Sequence, residues 1–492
     1  MQTRADLLHP EGHNAPMPPG IFISTPERSP GDAANDPFMD DRASNLRASA
    51  DGAFPTAQKS SPSTRQLALL LTNLFRDLDM PLRIRLWDGD VLNLGKPAGG
   101  NARFELVCRH PAAISAMAFA HDPLKIVQAY LRNDIDIDGD FYAALKLKDY
   151  LRTLKPTLMQ RAAGFVRLLN WSLLEAPKPM EREHVHVVEG EAVRRHSRDA
   201  NARSIAFHYD VSNAFYATWL DERMVYSCAY FRSPDDSLEK AQLQKLDHIC
   251  RKLQLRPGDR LLDVGCGWGA LALHAARRYG VQVHGITLSH QQWEWARRAV
   301  TREGLQSQVQ IDLCDYRDLS DQARYDKISS VGMFEHVGLE NLPVYFSTLH
   351  RVLKPGGLML NHGIAHDQEG WGQELSSRFI NRFVFPDGEL DTISRVQCVV
   401  ERCGFEINDL ENLRPHYALT LRHWVQRLEN GHEQALRHVS ESTWRIWRMF
   451  MAASALEFES GQLGVYQILA GKREGGPAPM PLTRDHLYAT QD

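Results

Sequence analysis

From Gln66 onward the chain switches between helical and strand periodicity, and that alternation carries most of the fold. Leu67, Leu70, Leu71, Leu74, Phe75 and Leu78 recur at helical spacing and mark one apolar face. The alternating run Leu82-Arg-Ile-Arg-Leu-Trp87 predicts a strand closed by an Asp88-Gly-Asp turn. A further strand is expected at 104–107 and short helices at 112–119 and 124–131. These make a small α+β unit. Beyond it, Arg260-Leu-Leu-Asp-Val264 predicts a strand running into a glycine turn and an amphipathic helix that ends at Tyr279. There follow a strand at 281–286, a helix at 289–302 and strands at 309–313 and 325–331. A helix through 342–353, a Lys354-Pro-Gly-Gly357 turn and a strand at 358–362 complete the series. Strands alternating with helices predict an α/β fold with a doubly wound, mostly parallel sheet. Ligands of such sheets bind beyond the carboxyl ends of the strands, so the loops there are where chemistry is expected.

At 492 residues the chain exceeds a single core, which stops growing near about 250–300 residues. Residues 1–62 are rich in Pro, Gly, Ser, Ala and Asp without an apolar period, which predicts a disordered tail. The expected division is then an N-terminal α+β domain over 63–150, a basic amphipathic segment and linker over 151–200, a larger α/β domain over 201–472, and a tail over 473–492. Between 146 and 171, six basic residues (Lys146, Lys148, Arg152, Lys155, Arg161, Arg167) face one acid, Asp149, and alternate with leucines and Phe165. Such a stretch either lies on an anionic bilayer surface or packs on a neighbour with its basic face solvated.

A formal charge of −4 provides no global field for nucleic acid, which is excluded as a partner. Seven scattered cysteines without C-x-x-C spacing argue against disulfides and zinc, and for reduced thiols in a cytoplasmic protein. The acidic run Ile135-Asp-Ile-Asp-Gly-Asp-Phe141 lacks the remaining ligands of a calcium loop and is read as strand and turn, so no metal is expected. No apolar run approaches about 18 residues and no signal-peptide pattern opens the chain, so neither spanning nor secretion is expected.

The glycines at 265, 267 and 269 let the backbone turn sharply and let a ligand approach without meeting a Cβ. A dinucleotide site wants G-x-G-x-x-G with a pyrophosphate on the helix start. Here the spacing is G-x-G-x-G with Asp263 two residues ahead, which resembles motif I of class I methyltransferases, whose loop holds the methionine portion of S-adenosylmethionine. The acid that usually closes the second strand of that fold is missing, and Thr287 and Gln292 stand where it would bind ribose. Loops after other strands contribute Asp315, Tyr316, Glu335, His336 and His362.

Several motifs together resemble the cyclopropane-fatty-acyl-phospholipid synthase family. They are His208-Tyr-Asp-Val-Ser212, Tyr226-Ser-Cys-Ala-Tyr230, Leu262-Asp-Val-Gly-Cys-Gly-Trp-Gly269, Gly285-Ile-Thr-Leu-Ser289, Val331-Gly-Met-Phe-Glu-His-Val-Gly338 and Phe385-Pro-Asp-Gly388. The likeness covers about 200–470, and the 64–150 unit is similar to the N-terminal domain of the bacterial phospholipid-acting members. It implies a Rossmann-like methyltransferase domain that methylates the cis double bond of a phospholipid acyl chain, with proton loss and ring closure. It further implies bicarbonate as base, caged by Cys228, Glu335, His362, the backbone of Ile364 and Tyr417. For S-adenosylmethionine the matching positions are Tyr226 and Ser227, the loop residues Asp263, Gly265, Cys266, Gly267 and Gly269, then Thr287, Leu288 and Gln292 at the ribose, and Asp315 with Tyr316 by the adenine.

A homodimer, peripheral contact with the inner membrane surface and an unsaturated phospholipid in the bilayer as partner are implied as well. Ser454 stands where family members often carry a cysteine; since bicarbonate needs no thiol to remove a proton, that cysteine is expected to be dispensable. The aromatics Phe379, Phe383, Phe385, Trp424, Trp444, Trp447 and Phe450, with helices over 420–459, are expected to cover the site and wall an acyl channel. Taken singly, Cys228, His362 and Tyr417 read as core residues. Two other readings stay open: a methyl- or methylene-branched product from the same double bond, and a small-molecule methyltransferase.

Overall fold

A computed structural model of the protein describes residues 68–96, 101–110, 113, 123–153, 196–473 and 480–488, apart from 70, 210, 321, 373 and 387. The expected N-terminal tail, nearly all of the 112–119 helix and most of the basic segment and linker lie outside these residues. Of the basic segment, the helix Leu147–Thr153 is described.

The first sheet has four strands, β1 (Leu82–Arg85), β2 (Val91–Leu94), β3 (Phe104–Cys108) and β4 (Ile135–Gly139), in the order β2-β1-β3-β4. The alternation at 82–85 puts Leu82 and Ile84 into the core, and all five residues of β3 are buried. Glu105 is buried among them because Arg83 and Arg85 pair with its carboxylate. The acidic run at 135–141 is β4 followed by a helix N-cap. Asp140 accepts from Ala143 N at 2.9 Å and starts the helix Phe141–Leu145. Its carboxylates meet arginines: Asp136 pairs with Arg109 and Arg445, Asp138 with Arg85, and Asp140 with Arg103.

The second sheet has seven strands: β5 (Arg260–Val264), β6 (Gln282–Thr287), β7 (Val309–Leu313), β8 (Tyr325–Val331), β9 (Leu353–His366), β10 (Phe405–Asn412) and β11 (Leu463–Lys472). They run in the order β10-β11-β9-β8-β5-β6-β7. β9, β8, β5, β6 and β7 are parallel, and β11 and β10 add an antiparallel edge absent from the sequence reading. Apolar clusters on both faces bury the parallel strands, as the continuous run Leu261–Val264 requires. One cluster joins Leu261, Val283 and Leu360 to Ile249 and Ala272 of the helices Leu238–Lys252 and Ala270–Tyr279. The other joins Leu262, Ile328 and Met359 to Tyr345, Phe346 and Val396 of Leu342–Val352 and Ile393–Arg402.

The expected 354–357 turn is a bulge inside β9. Pairing with β8 jumps from Tyr325–Leu353 to Lys327–Leu358, and Gly356 sits at a φ of 71°. The helix Arg198–Tyr209 also begins inside the expected linker.

A further apolar cluster joins Phe215, Tyr216 and Trp219 to the paired helices Arg414–Asn430 and Glu441–Ser460. The first sheet and its helices dock on the second of these. Arg445 donates to the carbonyls of Tyr130 and Ile135 at 3.2 and 3.4 Å and to Asp136 at 3.1 Å. Arg448 lies over the Phe141 ring at 3.8 Å and is bound by Glu429. All the described residues fall in one compact unit. Among them, no helix is long and apolar enough to cross a membrane.

Candidate active site

Two cavities of about 110 Å³ each lie beyond the carboxyl ends of the parallel strands, and they share Tyr209, Tyr226, Ser227, Gly332 and His336. The first is built on the glycine turn. Asp263, at the end of β5, accepts from Ser329 Oγ at 2.8 Å through Oδ1, while its buried Oδ2 has no protein partner. Burial raises its pKa to about 6 against the opposing pull of Ser329 and Lys245. Gly265 and Gly267 have φ values of 73° and 55°. A Cβ at 265 would come within 2.9 Å of Met333 Cγ, and one at 267 would project into open space. The turn is thus a cradle that side chains would fill.

Of the expected cofactor residues, Tyr226, Ser227, Asp263, Gly265, Cys266, Gly267, Thr287, Leu288, Gln292 and Tyr316 line this cavity. Thr287 Oγ1 donates to Gln292 Oε1 at 2.9 Å, so the pair that replaces the usual acid is mutually oriented. The buried Tyr316 hydroxyl is left without a partner. Cys266 also packs closely on β6, where a Cβ on Gly285 would meet its Sγ at 3.1 Å.

Gly269 and Asp315 are not in the lining. Gly269, at a φ of 89°, starts the helix Ala270–Tyr279, where a Cβ would press on Ala296 Cβ at 3.1 Å. Asp315 caps the turn Tyr316–Asp318 and is clasped by Arg317 at 2.8 and 2.6 Å. Burial pushes the Asp315 carboxyl up, but Arg317 outweighs it and holds the group below the usual carboxylate range.

Cys228, Glu335, His362, Ile364 and Tyr417 all line the second cavity, joined by Ser454. They come from separate elements. Glu335 sits in the short turn Phe334–His336 after β8, His362 and Ile364 lie two apart on β9, and Tyr417 is in the helix Arg414–Asn430. Glu335 Oε1 accepts from Ile364 N at 2.8 Å, so the amide expected to face a ligand is given to the carboxylate. Its buried Oε2 has no partner, and burial raises its pKa to about 7.

His362 Nδ1 lies 3.1 Å from the Gln467 amide nitrogen, which donates to it and leaves the proton on Nε2. Burial lowers the His362 pKa to about 3, helped by Lys245 and Lys252, so the ring is neutral. Burial raises the Tyr417 phenol well above its usual value and pushes the Cys228 thiol up, so both stay protonated. The result is two neutral donors, the His362 Nε2–H and the Tyr417 hydroxyl, around one carboxyl that titrates near neutrality, while the Cys228 thiol donates to Ala229 O at 3.2 Å. That arrangement suits a small oxyanion.

Phe385, Trp424 and Phe450 belong to the wall of this cavity, with Trp371, Leu421 and Phe458. Phe379, Phe383, Trp444 and Trp447 pack behind it in the apolar cluster. His208 is likewise structural: its Nδ1 bonds Val384 O at 3.1 Å and its ring packs on Phe385. His336 lines both cavities, its Nε2 is 3.3 Å from the Tyr209 hydroxyl, and burial lowers its pKa to about 4. Sequence reasoning missed Tyr209, Lys245 and Gln467. The signal for the last two was a polar residue at a core-facing position, Lys245 on its helix and Gln467 in the apolar β11.

Comparison with known proteins agrees with this geometry. The family model for mycolic acid cyclopropane synthetase matches residues 196–468. A probable fatty acid methyltransferase of Pseudomonas putida is 41% identical over 84% of this chain and 98% of its own length. The cyclopropane-fatty-acyl-phospholipid synthase of Escherichia coli K12 is 39% identical over 53% of this chain and 66% of its own. Among solved structures, the mycolic acid cyclopropane synthase CmaA1 complexed with SAH and CTAB superposes with a TM-score of 0.52 at 33% identity, over 55% of this chain and 98% of that one. The seven-stranded sheet is therefore that of the class I methyltransferase fold.

Proposed function

The chain belongs to the mycolic acid cyclopropane synthetase family, and from that premise we propose that it methylates the cis double bond of phospholipid acyl chains and closes a cyclopropane ring. It is an S-adenosylmethionine-dependent methyltransferase. One observation carries the finer reading: Cys228, Glu335, His362, Ile364 and Tyr417 converge on one apolar cavity contiguous with the glycine-turn cavity.

S-adenosylmethionine supplies an electrophilic methyl on a sulfonium. The chain's task is to hold that methyl against a weak nucleophile, which orientation favours by several kcal/mol, up to about 7–11. The cradle at Gly265 and Gly267, the Thr287–Gln292 pair and the free Tyr316 hydroxyl fit the cofactor. The aromatic wall excludes water from a carbocation, and the protonated Cys228 removes the nearest strong nucleophile. The free oxygen of Glu335, the His362 Nε2–H and the Tyr417 hydroxyl would hold bicarbonate, which supplies a base for the proton of the added methyl. Glu335, titrating near neutrality, accepts that proton.

A phospholipid substrate calls for contact with the inner membrane surface, and we extend the reading to a homodimer, which sedimentation of the purified chain would test. Expression in cells rich in unsaturated phospholipid should add one CH₂ per double bond, with the upfield proton resonances of a cyclopropane ring, and Glu335→Gln should abolish both. Unchanged lipids in cells that accumulate folded protein would sink the proposal. A second reading, a methyl- or methylene-branched product in which proton loss leaves a double bond instead of a ring, is favoured by the name of the Pseudomonas putida relative, and branched-methyl or methylene signals in place of ring signals would identify it.

A further inference from the structure

The cofactor cavity contains a buried cation that the methyl-transfer reading leaves unused. Lys245, on the helix Leu238–Lys252, is 2% exposed and lines the glycine-turn cavity. Its ammonium donates to Ser227 Oγ at 2.8 Å, and Ser227 stands on the border between the two cavities. An ammonium has three donors, and burial with only a neutral hydroxyl leaves it far short of compensation. Burial accordingly lowers its pKa to about 8, while Asp221, Cys228 and Asp263 pull the other way.

Asp221 is committed elsewhere, accepting from the backbone of Val225 at 2.8 Å and Arg223 at 3.3 Å. Asp263 lines the same cavity with its buried Oδ2 unpartnered. One wall therefore presents a cation with spare donors and a carboxylate oxygen with a spare lone pair. Together they match an α-amino-acid zwitterion, whose carboxylate needs the first and whose ammonium needs the second.

We propose that Lys245, bridged through Ser227, recognises the α-carboxylate of S-adenosylmethionine, and that Asp263 receives its α-ammonium. The assignment rests on the reading of this cavity as the S-adenosylmethionine site. It makes Lys245 a specificity determinant against adenosyl sulfonium ligands that lack the carboxylate.

The test is calorimetric titration of the full chain with S-adenosylmethionine, S-adenosylhomocysteine and decarboxylated S-adenosylmethionine. Wild type should bind the first two more tightly than the third. Lys245→Met should lose roughly tenfold to hundredfold in affinity for the two carboxylated ligands and almost nothing for the decarboxylated one. Lys245→Arg should recover part of that loss, and Asp263→Asn should weaken all three. Equal weakening of all three ligands by Lys245→Met would overturn the assignment, as would a wild type indifferent to the carboxylate. Should Lys245→Met fail to fold, Ser227→Ala serves instead: a loss confined to the carboxylated ligands supports the bridge, and a uniform loss or none refutes it. A wild type that binds none of the three would instead refute the cofactor reading itself.

Discussion

The chemistry of the site narrows to one carboxyl. Glu335 has one oxygen tied to Ile364 N and the other facing an apolar cavity without a partner. Glu335→Gln keeps the shape and the bond to Ile364 but cannot take up a proton. Lipid modification should fall by about 10²–10⁴, the usual worth of general acid–base catalysis, while S-adenosylmethionine affinity measured by calorimetry stays within about twofold. Its titration also has a stability consequence. The ordinary value of 4.5 rises to about 7 on burial, so between these values the unfolded chain releases a proton that the folded chain keeps. Stability is therefore lost as pH climbs through that window, by on the order of 3 kcal/mol, and is flat above it. Denaturant melts at pH 5 and 7.5 should show a smaller decline in Glu335→Gln than in wild type; equal declines would place the proton elsewhere. Asp263, raised to about 6, adds a slope of the same sign, and the difference between the two proteins cancels it.

At the level of elements, the register of three strands sets the protonation of the site. Glu411 of β10, Gln467 of β11 and His362 of β9 stand abreast, and Glu411 is in turn held by His248 and Lys252. Paired residues on neighbouring strands share a face, so Gln467 is aimed at His362 by pairing alone. Gln467→Glu replaces the donating amide by an acceptor and should move the ring proton from Nε2 to Nδ1. Ring ¹⁵N shifts of His362 would report that directly, alongside a turnover loss of roughly tenfold or more. An unmoved tautomer would show that Gln467 does not set it.

This row also marks where the sequence stopped being readable. The glycine turn, β6 to β8 and the residues after each strand follow from local periodicity, because apolar runs and glycines act within a few residues. Gln467 and His362 are 105 positions apart and meet only through the antiparallel edge. β10 itself reads Phe-Glu-Ile-Asn-Asp-Leu-Glu-Asn, half-buried at an edge, with no alternation clean enough to announce a strand. Asp315 shows a related limit: its clasp by Arg317, two residues on, is a side-chain pairing that the order of residues after a strand does not announce.

At the scale of the whole molecule, two buried arginines reinforce a junction where Leu124, Tyr130, Leu131 and Phe141 share an apolar cluster with Trp444 and Trp447. Arg445 and Arg448 lie on the helix Glu441–Ser460, which also carries Phe450, Ser454 and Phe458 in the cavity wall. On the opposite side they hold the first sheet: Arg445 satisfies two backbone carbonyls and Asp136 while being 4% exposed. A guanidinium at that depth is favourable only with its partners in place, and removing it leaves Asp136 to Arg109 and the Tyr130 carbonyl to Asn133 N, each with one donor fewer. Arg445→Met should therefore cost about 1–3 kcal/mol at this junction. The parallel sheet has its own apolar clusters and makes no use of these bonds. Denaturant unfolding should accordingly split, with the first sheet melting ahead of the second. Because the same helix walls the second cavity, lipid turnover should drop in the variant while S-adenosylmethionine affinity holds. A single cooperative transition at the wild-type midpoint would mean that the two sheets are held by their apolar contacts and that the arginines contribute nothing net.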